Sequence, residues 1–177
     1  MDFRVVGRVV LFYIDNKGSN LAVRWYVLAC TPRKERVIYH QLQDKGYEVF
    51  YPYLINRTKD PNTLRIEPYF PGYLFVKVDL SEVSMSVFQW MPMTSGLVCM
   101  AGIPAFVPDT MLRAIQRSLS KANSRVLGMP EDLGTSAAIE ASMPELPENG
   151  KLFDPQLSGE DRARVLLQFL QHPGMAP

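Results

Sequence analysis

Residues 69–76 read Tyr69-Phe70-Pro71-Gly72-Tyr73-Leu74-Phe75-Val76, and this stretch decides the fold. Pro71-Gly72 is a break, and the residues after it, out to Asp79, alternate. Leu74, Val76 and Val78 fall on one face of the predicted strand, and Tyr73, Phe75 and Lys77 on the other. With Tyr69 before the break and Phe70 at the bend, the aromatics crowd a one-sided core. Either the sheet is covered on both faces, or part of this aromatic set points outward and forms a patch suited to protein docking. The pattern leaves both alternatives open.

Upstream, WYVLAC (25–30) predicts a buried strand. Thr31-Pro32 predicts a helix start, a hydroxyl cap followed by proline at the first helical position. That helix runs to about Lys45, with Ile38 and Leu42 one turn apart and Gly46 as its stop. YEVFYPY (47–53) predicts a second strand, with Pro52 at its edge or end. NRTKDPNTL (56–64) reads as a polar connection turning at Asp60-Pro61-Asn62. LRIEP then resumes β character before the break.

Downstream, Ser81–Trp90 predicts a short helix and GLVCMAG (96–102) a strand. Asp109–Lys121 predicts a helix with Leu112, Ile115 and Leu119 on one stripe. The fold class is therefore α+β: a small, mostly antiparallel sheet flanked by helices, spanning residues 24–121. Residues 1–23 are an N-terminal extension with a short alternating strand and a turn at Asp15-Asn16-Lys17-Gly18. Residues 122–150, rich in Ala, Ser, Pro and Glu, read as a flexible linker, and 151–177 regain pattern.

Composition excludes several function classes. The 177 residues, 47% hydrophobic, suit one domain with appendages. A net charge of +1 argues against a polycation that coats nucleic acid, so any such contact must come from a local patch. Cys30 and Cys99 read as buried, reduced thiols, and His40 and His172 lack partners at ligand spacing. No metal and no cofactor are predicted. Asp2 and Arg8 interrupt the apolar start, so it is neither a signal peptide nor a bilayer span, and a cytoplasmic protein without membrane contact is expected. No nucleophile elbow, zinc-helix, phosphate-loop or dinucleotide motif is present, and a non-enzymatic binding module is expected.

Four pieces in order carry a family resemblance: Trp25-Tyr26, Pro32-Arg33-Lys34-Glu35, Phe70-Pro71-Gly72-Tyr73 and Val107-Pro108-Asp109. Together they resemble the N-terminal domain of NusG-type transcription elongation and antitermination factors, leaning toward the specialised RfaH-like paralogues. The resemblance implies a factor that binds the coiled-coil clamp helices of RNA polymerase through a hydrophobic surface and modulates pausing or termination. By position it assigns that surface to Tyr26, Phe70, Pro71, Tyr73 and Leu74, and contact with upstream or non-template DNA to Arg33, Lys34 and Arg36. Such phosphate contacts would be electrostatic and salt-sensitive. Arg57 and Lys59 in the polar connection are further cationic candidates. An RNA- or ribosome-binding α+β module, stacking bases on sheet aromatics, is the alternative.

Family members usually carry a small β-barrel, the KOW domain, after the linker. Here GKLFDPQLSGEDRARVLLQFL (150–170) resembles only its middle, and a barrel lacking strands cannot satisfy its edges. Contact with Rho or with a ribosomal protein, which the family assigns to that barrel, is therefore in doubt. The segment reads equally as a strand, on Val165, Leu167 and Phe169, or as a helix capped by Ser158 with Leu166 and Leu170 on one stripe. The helical alternative would fold back on the aromatic surface, as in autoinhibited RfaH-like proteins, because so short a helix is unstable alone.

Overall fold

The computed structural model describes residues 23–60, 63–128 and 157–171. The N-terminal extension up to Ala22, the linker from 129 onward, residues 151–156, His172 and the Pro173-Gly174 stop lie outside the described residues.

The architecture is α+β. One antiparallel sheet runs in the order β2 (Glu48–Phe50), β5 (Tyr73–Asp79), β1 (Val23–Cys30), β6 (Thr94–Leu97), and β9 (Phe106–Val107) also pairs with β1. Two hairpins stand off it: β3 (Tyr53–Arg57) with β4 (Leu64–Pro68), and β7 (Cys99–Met100) with β8 (Ile103–Pro104). The helices are α1 (Glu35–Asp44), α2 (Ser86–Gln89), α3 (Asp109–Leu127) and α4 (Gly159–Gln171).

The sheet is covered on both faces, which resolves the crowding of aromatics around Pro71-Gly72. Tyr26, Leu28, Leu74, Val76 and Val78 pack against Ile38 and Leu42 of α1 and Phe88 of α2. Trp25, Val27, Phe70 and Phe75 pack against Met111, Leu112, Ile115 and Leu119 of α3 and Leu166 and Leu170 of α4. Period-two alternation in β1 and β5 thus feeds two separate apolar cores, each closed by amphipathic helices.

Several expectations are corrected. Thr31 does not cap α1: Lys34 N–H donates to the Thr31 carbonyl (3.1 Å), forming a turn with Arg33 at φ 70°, and the helix starts at Glu35 without a side-chain cap. Pro52 splits the stretch 47–53, so β3 begins at Tyr53 and extends through Asn56 and Arg57, into what reads as a polar connection. The helix expected over Ser81–Trp90 is reduced to Ser86–Gln89, and residues 96–107 hold short paired strands rather than one.

Helix α3 continues to Leu127 instead of ending at Lys121. Its extra turns have partners in the β3–β4 hairpin. The Asn123 amide bonds to the β3 backbone, and Arg57 Nη2 donates to the Val126 carbonyl at 2.8 Å. Gly128, at φ 68°, then closes the helix by donating its N–H to Arg125 and Ser124 carbonyls.

Candidate functional site

Hydrogen bonds and close packing brace the Pro71-Gly72 turn. Gly72 sits at φ 83°, and a Cβ there would lie 3.3 Å from the Cys30 carbonyl, so glycine answers both the conformation and the close approach. Cys30 N–H donates to the Gly72 carbonyl (2.8 Å). Gly72 N–H donates to Glu35 Oε1 (2.8 Å), with Glu35 only 2% exposed. The first residue of α1 thus reaches across to hold the turn joining the two cores.

Helix α4 lies directly on this turn. Ser158 begins it: Asp161 N–H donates to Ser158 Oγ (3.1 Å), and the hydroxyl donates back to Asp161 Oδ2 (2.7 Å), as expected of a reciprocal cap. Gly159 is pressed against the Pro71 ring so tightly that an added Cβ would sit 2.8 Å from its Cγ. One turn on, Arg162 is buried, and among the described residues it pairs with no carboxylate: Nε donates to the Tyr69 carbonyl (3.1 Å), Nη1 donates to the Leu157 carbonyl (3.0 Å), and the guanidinium stacks 4.3 Å from the Tyr69 ring centroid. An aromatic face and carbonyl dipoles are partners that offset part of the cost of burying a guanidinium. Leu166 and Leu170 complete the contact in the cluster containing Tyr69 and Phe70.

The residues assigned by resemblance to one hydrophobic surface do not share one. Phe70, Pro71 and Tyr73 belong to the turn and the α3–α4 face, with Phe70 fully buried and Pro71 and Tyr73 half-buried. Tyr26 and Leu74 point to the opposite face, into the core under α1 and α2. Burial there raises the Tyr26 phenol above its usual range; Arg24 lowers it and Asp79 raises it by smaller amounts. Adjacent strand positions face opposite ways, so Tyr26 and Leu74 cannot join Phe70 and Tyr73 on one surface without breaking the sheet.

The cationic candidates are exposed. Arg33, Lys34 and Arg36 surround the turn into α1, and among the described residues none of the three forms an ion pair. Arg36 lies near enough to Tyr51 to oppose the effects of burial and of Glu35, which together push that phenol up to about 12. Arg57 and Lys59 are exposed on the separate hairpin.

Sequence reading missed Glu35, Arg162 and Asn123. Within PRKER, Glu35 reads as part of a charged, solvated helix face, and only its contact with Gly72 distinguishes it. Arg162 carried a local signal, a cation one turn into a helix otherwise headed by acids. An open groove between β3 and α3, lined by Tyr51, Tyr53, Leu119 and Asn123, has no carboxylate, histidine or cysteine among its described lining residues. Among the described residues no cluster of His, Cys, Asp or Glu could hold a metal ion, and no helix is long and apolar enough to cross a membrane.

A family model described as transcription termination factor nusG matches residues 23–116. Among solved structures, the chain is similar to one titled "Domain interaction in Thermotoga maritima NusG", at 22% identity and a TM-score of 0.42, with 54% of this chain and 56% of that chain covered. The chain thus spans about half the length of that solved relative. No curated protein matches it.

Proposed function

The chain belongs to the NusG family of transcription factors, its domain lying at residues 23–116, and we propose that it docks on RNA polymerase through the Phe70-Pro71-Tyr73 face while α4 acts as a removable cover. The occupant of this face is an amphipathic helix in the structure itself. Leu166 and Leu170 fill the apolar face beside Tyr69 and Phe70, and Arg162 anchors the helix on Tyr69. A surface that accepts one amphipathic helix presents the shape and apolar chemistry that a polymerase clamp helix needs. Tyr26 and Leu74 drop out of this reading, because they lie beneath the other face. Arg33, Lys34 and Arg36 supply an exposed cationic rim for upstream or non-template DNA. Stacking of RNA bases on the sheet is disfavoured, since α1 and α2 cover one of its faces and α3 packs on the other alongside α4.

The observation that carries the proposal is the seating of α4 on the Tyr69–Tyr73 turn. Its test is binding of the full chain, and of a chain ending at residue 150, to the isolated clamp-helix coiled coil. The shortened chain is expected to bind at least about tenfold more tightly, with Tyr73→Ala weakening it by about 2 kcal/mol. Equal affinity of the two chains would sink the cover, and absence of binding by either would sink the docking surface. Arg33→Ala and Lys34→Ala should leave coiled-coil binding intact and flatten the salt dependence of DNA binding.

A further inference from the structure

The β3–β4 hairpin has one capped edge and one open edge. Tyr69 N–H donates to the Pro52 carbonyl and Thr58 N–H to the Thr63 carbonyl, which sets the phase of the ladder between the two strands. In that phase Leu54 with Glu67, and Asn56 with Arg65, exchange the hydrogen bonds inside the hairpin. Tyr53 and Ile55 therefore turn their backbone groups outward on β3, and Asn123 meets both. Its Oδ1 accepts from Ile55 N–H (2.8 Å), and its Nδ2 donates to the Tyr53 carbonyl (3.1 Å). On β4 the outward groups belong to Leu64 and Ile66, with the Pro68 carbonyl beyond them, and among the described residues nothing bonds them. The side chains there are large, apolar and open: Leu64 is 46% exposed and Ile66 50%.

An open edge bearing exposed aliphatic side chains is a template for another strand. The sequence Leu64-Arg65-Ile66-Glu67-Pro68 is complementary to itself when run antiparallel about Ile66. Ile66 then faces Ile66 of the second copy, and their outward N–H and C=O groups bond reciprocally. Arg65 falls opposite Glu67, and Glu67 opposite Arg65, in the non-hydrogen-bonded positions where facing side chains lie closest. Leu64 N–H reaches the Pro68 carbonyl of the second copy. In the single chain Arg65 and Glu67 already pair along the strand (3.1 Å), side by side on one face, so both can turn to a facing partner without leaving that face.

We infer that β4 is a self-association edge, through which two copies of this chain join as a continuous antiparallel sheet ordered β3-β4-β4-β3. The contact is isologous and closes at two copies, because the other edge of the hairpin is occupied by Asn123 and Pro68 has no N–H with which to extend the ladder. The paired residues, Leu64–Pro68, are not those of the Phe70-Pro71-Tyr73 face, which begins two residues beyond the strand. The inference is thus independent of what that face binds.

Sedimentation of the full chain over a concentration series tests it. The unaltered chain should pass from monomer to dimer without larger species. Arg65→Glu alone and Glu67→Arg alone should each weaken dimerisation at least about tenfold, since each turns two attractive facing pairs into repulsive ones. An equimolar mixture of these two variants should recover the dimer, as should the double exchange in one chain. Ile66→Pro removes an outward N–H that the hairpin does not use, and should abolish the dimer while leaving circular dichroism unchanged. A chain that stays monomeric to its solubility limit overturns the inference. A dimer that survives both single charge changes also overturns it, and assigns self-association to another surface.

Discussion

The two faces of the central sheet are closed by the same physics and held by different chain connections. Beneath the α1 face, β1 runs into its covering helix through the short turn at Thr31–Lys34, and β5 leads into α2 within ten residues. That cover cannot leave without unfolding the strands. On the opposite face α3 is likewise continuous with β9, but α4 arrives only after residues 129–156. Both faces bury leucines completely, Leu42 on one and Leu166 on the other. Burial therefore does not distinguish a core from a cover; the length of chain that tethers the covering element does, because releasing the end of a longer loop regains more chain entropy.

The sharpest break in this comparison is a matched pair of truncations. Ile38→Ala should cost about 2–5 kcal/mol of global stability, since nothing on the α1 face can let go to relieve the cavity. Leu166→Ala removes a side chain that is just as buried. If α4 is a removable cover, the cost is capped at the docking free energy of the helix, which would detach and leave the rest folded. Denaturant unfolding should show a loss for Ile38→Ala that exceeds the loss for Leu166→Ala, and amide exchange should accelerate in residues 159–171 only for the latter. Equal losses would mean that α4 is a permanent part of the domain.

Glu35 joins the two faces, and its removal should come next in size. Glu35→Ala leaves the buried Gly72 N–H without an acceptor, a loss of about 1–3 kcal/mol. Glu35→Gln keeps an oxygen for that N–H and should cost less. The turn that Glu35 holds also carries α4, so Glu35→Ala should raise exchange on both faces together, which neither leucine nor isoleucine truncation does.

A smaller effect tests the cover alone. In a helix interior Gly→Ala gains about 1 kcal/mol of propensity, and at the first helical position, where Gly159 sits, the gain is smaller. Here the added methyl meets the Pro71 ring at 2.8 Å, and neither the ring nor the helix backbone yields easily. Exchange of α4 amides should therefore rise, with α1 unaffected. A slower exchange would show that α4 tilts to accommodate the methyl and that its seat on Pro71 is loose.

How much of this was legible depends on the range of the forces involved. The alternation around Phe75 marked a strand with two apolar faces, because period two is a local property of a strand, but left open whether the second face was covered or exposed. The turn at Gly72 and the cap at Ser158 were legible for the same reason. The hairpin over residues 53–68 was not: Asn56, Arg57 and Thr58 are polar on both faces, so no alternation marks a strand whose edge is held by a side chain 68 residues away. Thr31-Pro32 looked like a helix start because the competing hydrogen bond, Thr31 N–H to the Met93 carbonyl, comes from a distant loop. The choice between strand and helix for Val165–Leu170 was open because both patterns fit. Contacts of Arg162, Leu166 and Leu170 with the Tyr69–Phe70 turn accompany the helix, and no local rule contains them. Phe70 and Tyr26 lie in different clusters, which motif order alone does not tell, since it carries no information about which way a strand faces.

The smallest expected effect is the absence of one, and it bears on whether the faces are independent. Cys30 lies under α1, 6% exposed, and burial with a lesser contribution from Glu35 pushes its thiol up to about 12; Cys99 is exposed. The thiolate is the reactive form, so at neutral pH a maleimide or iodoacetamide should modify Cys99 readily and Cys30 only through opening of the α1 face. The folded pKa of Cys30 is raised above its unfolded value of about 9. Its contribution to stability is therefore complete below about pH 9 and is lost as pH climbs toward 12. Modification of Cys30 should accelerate over that window as the fold weakens. Removing residues 151–177 uncovers the other face and should change neither the rate nor its pH dependence. If Cys30 reacts faster in the shortened chain, release of α4 is transmitted through the Glu35–Gly72 contact, and the cover and the core are one cooperative unit.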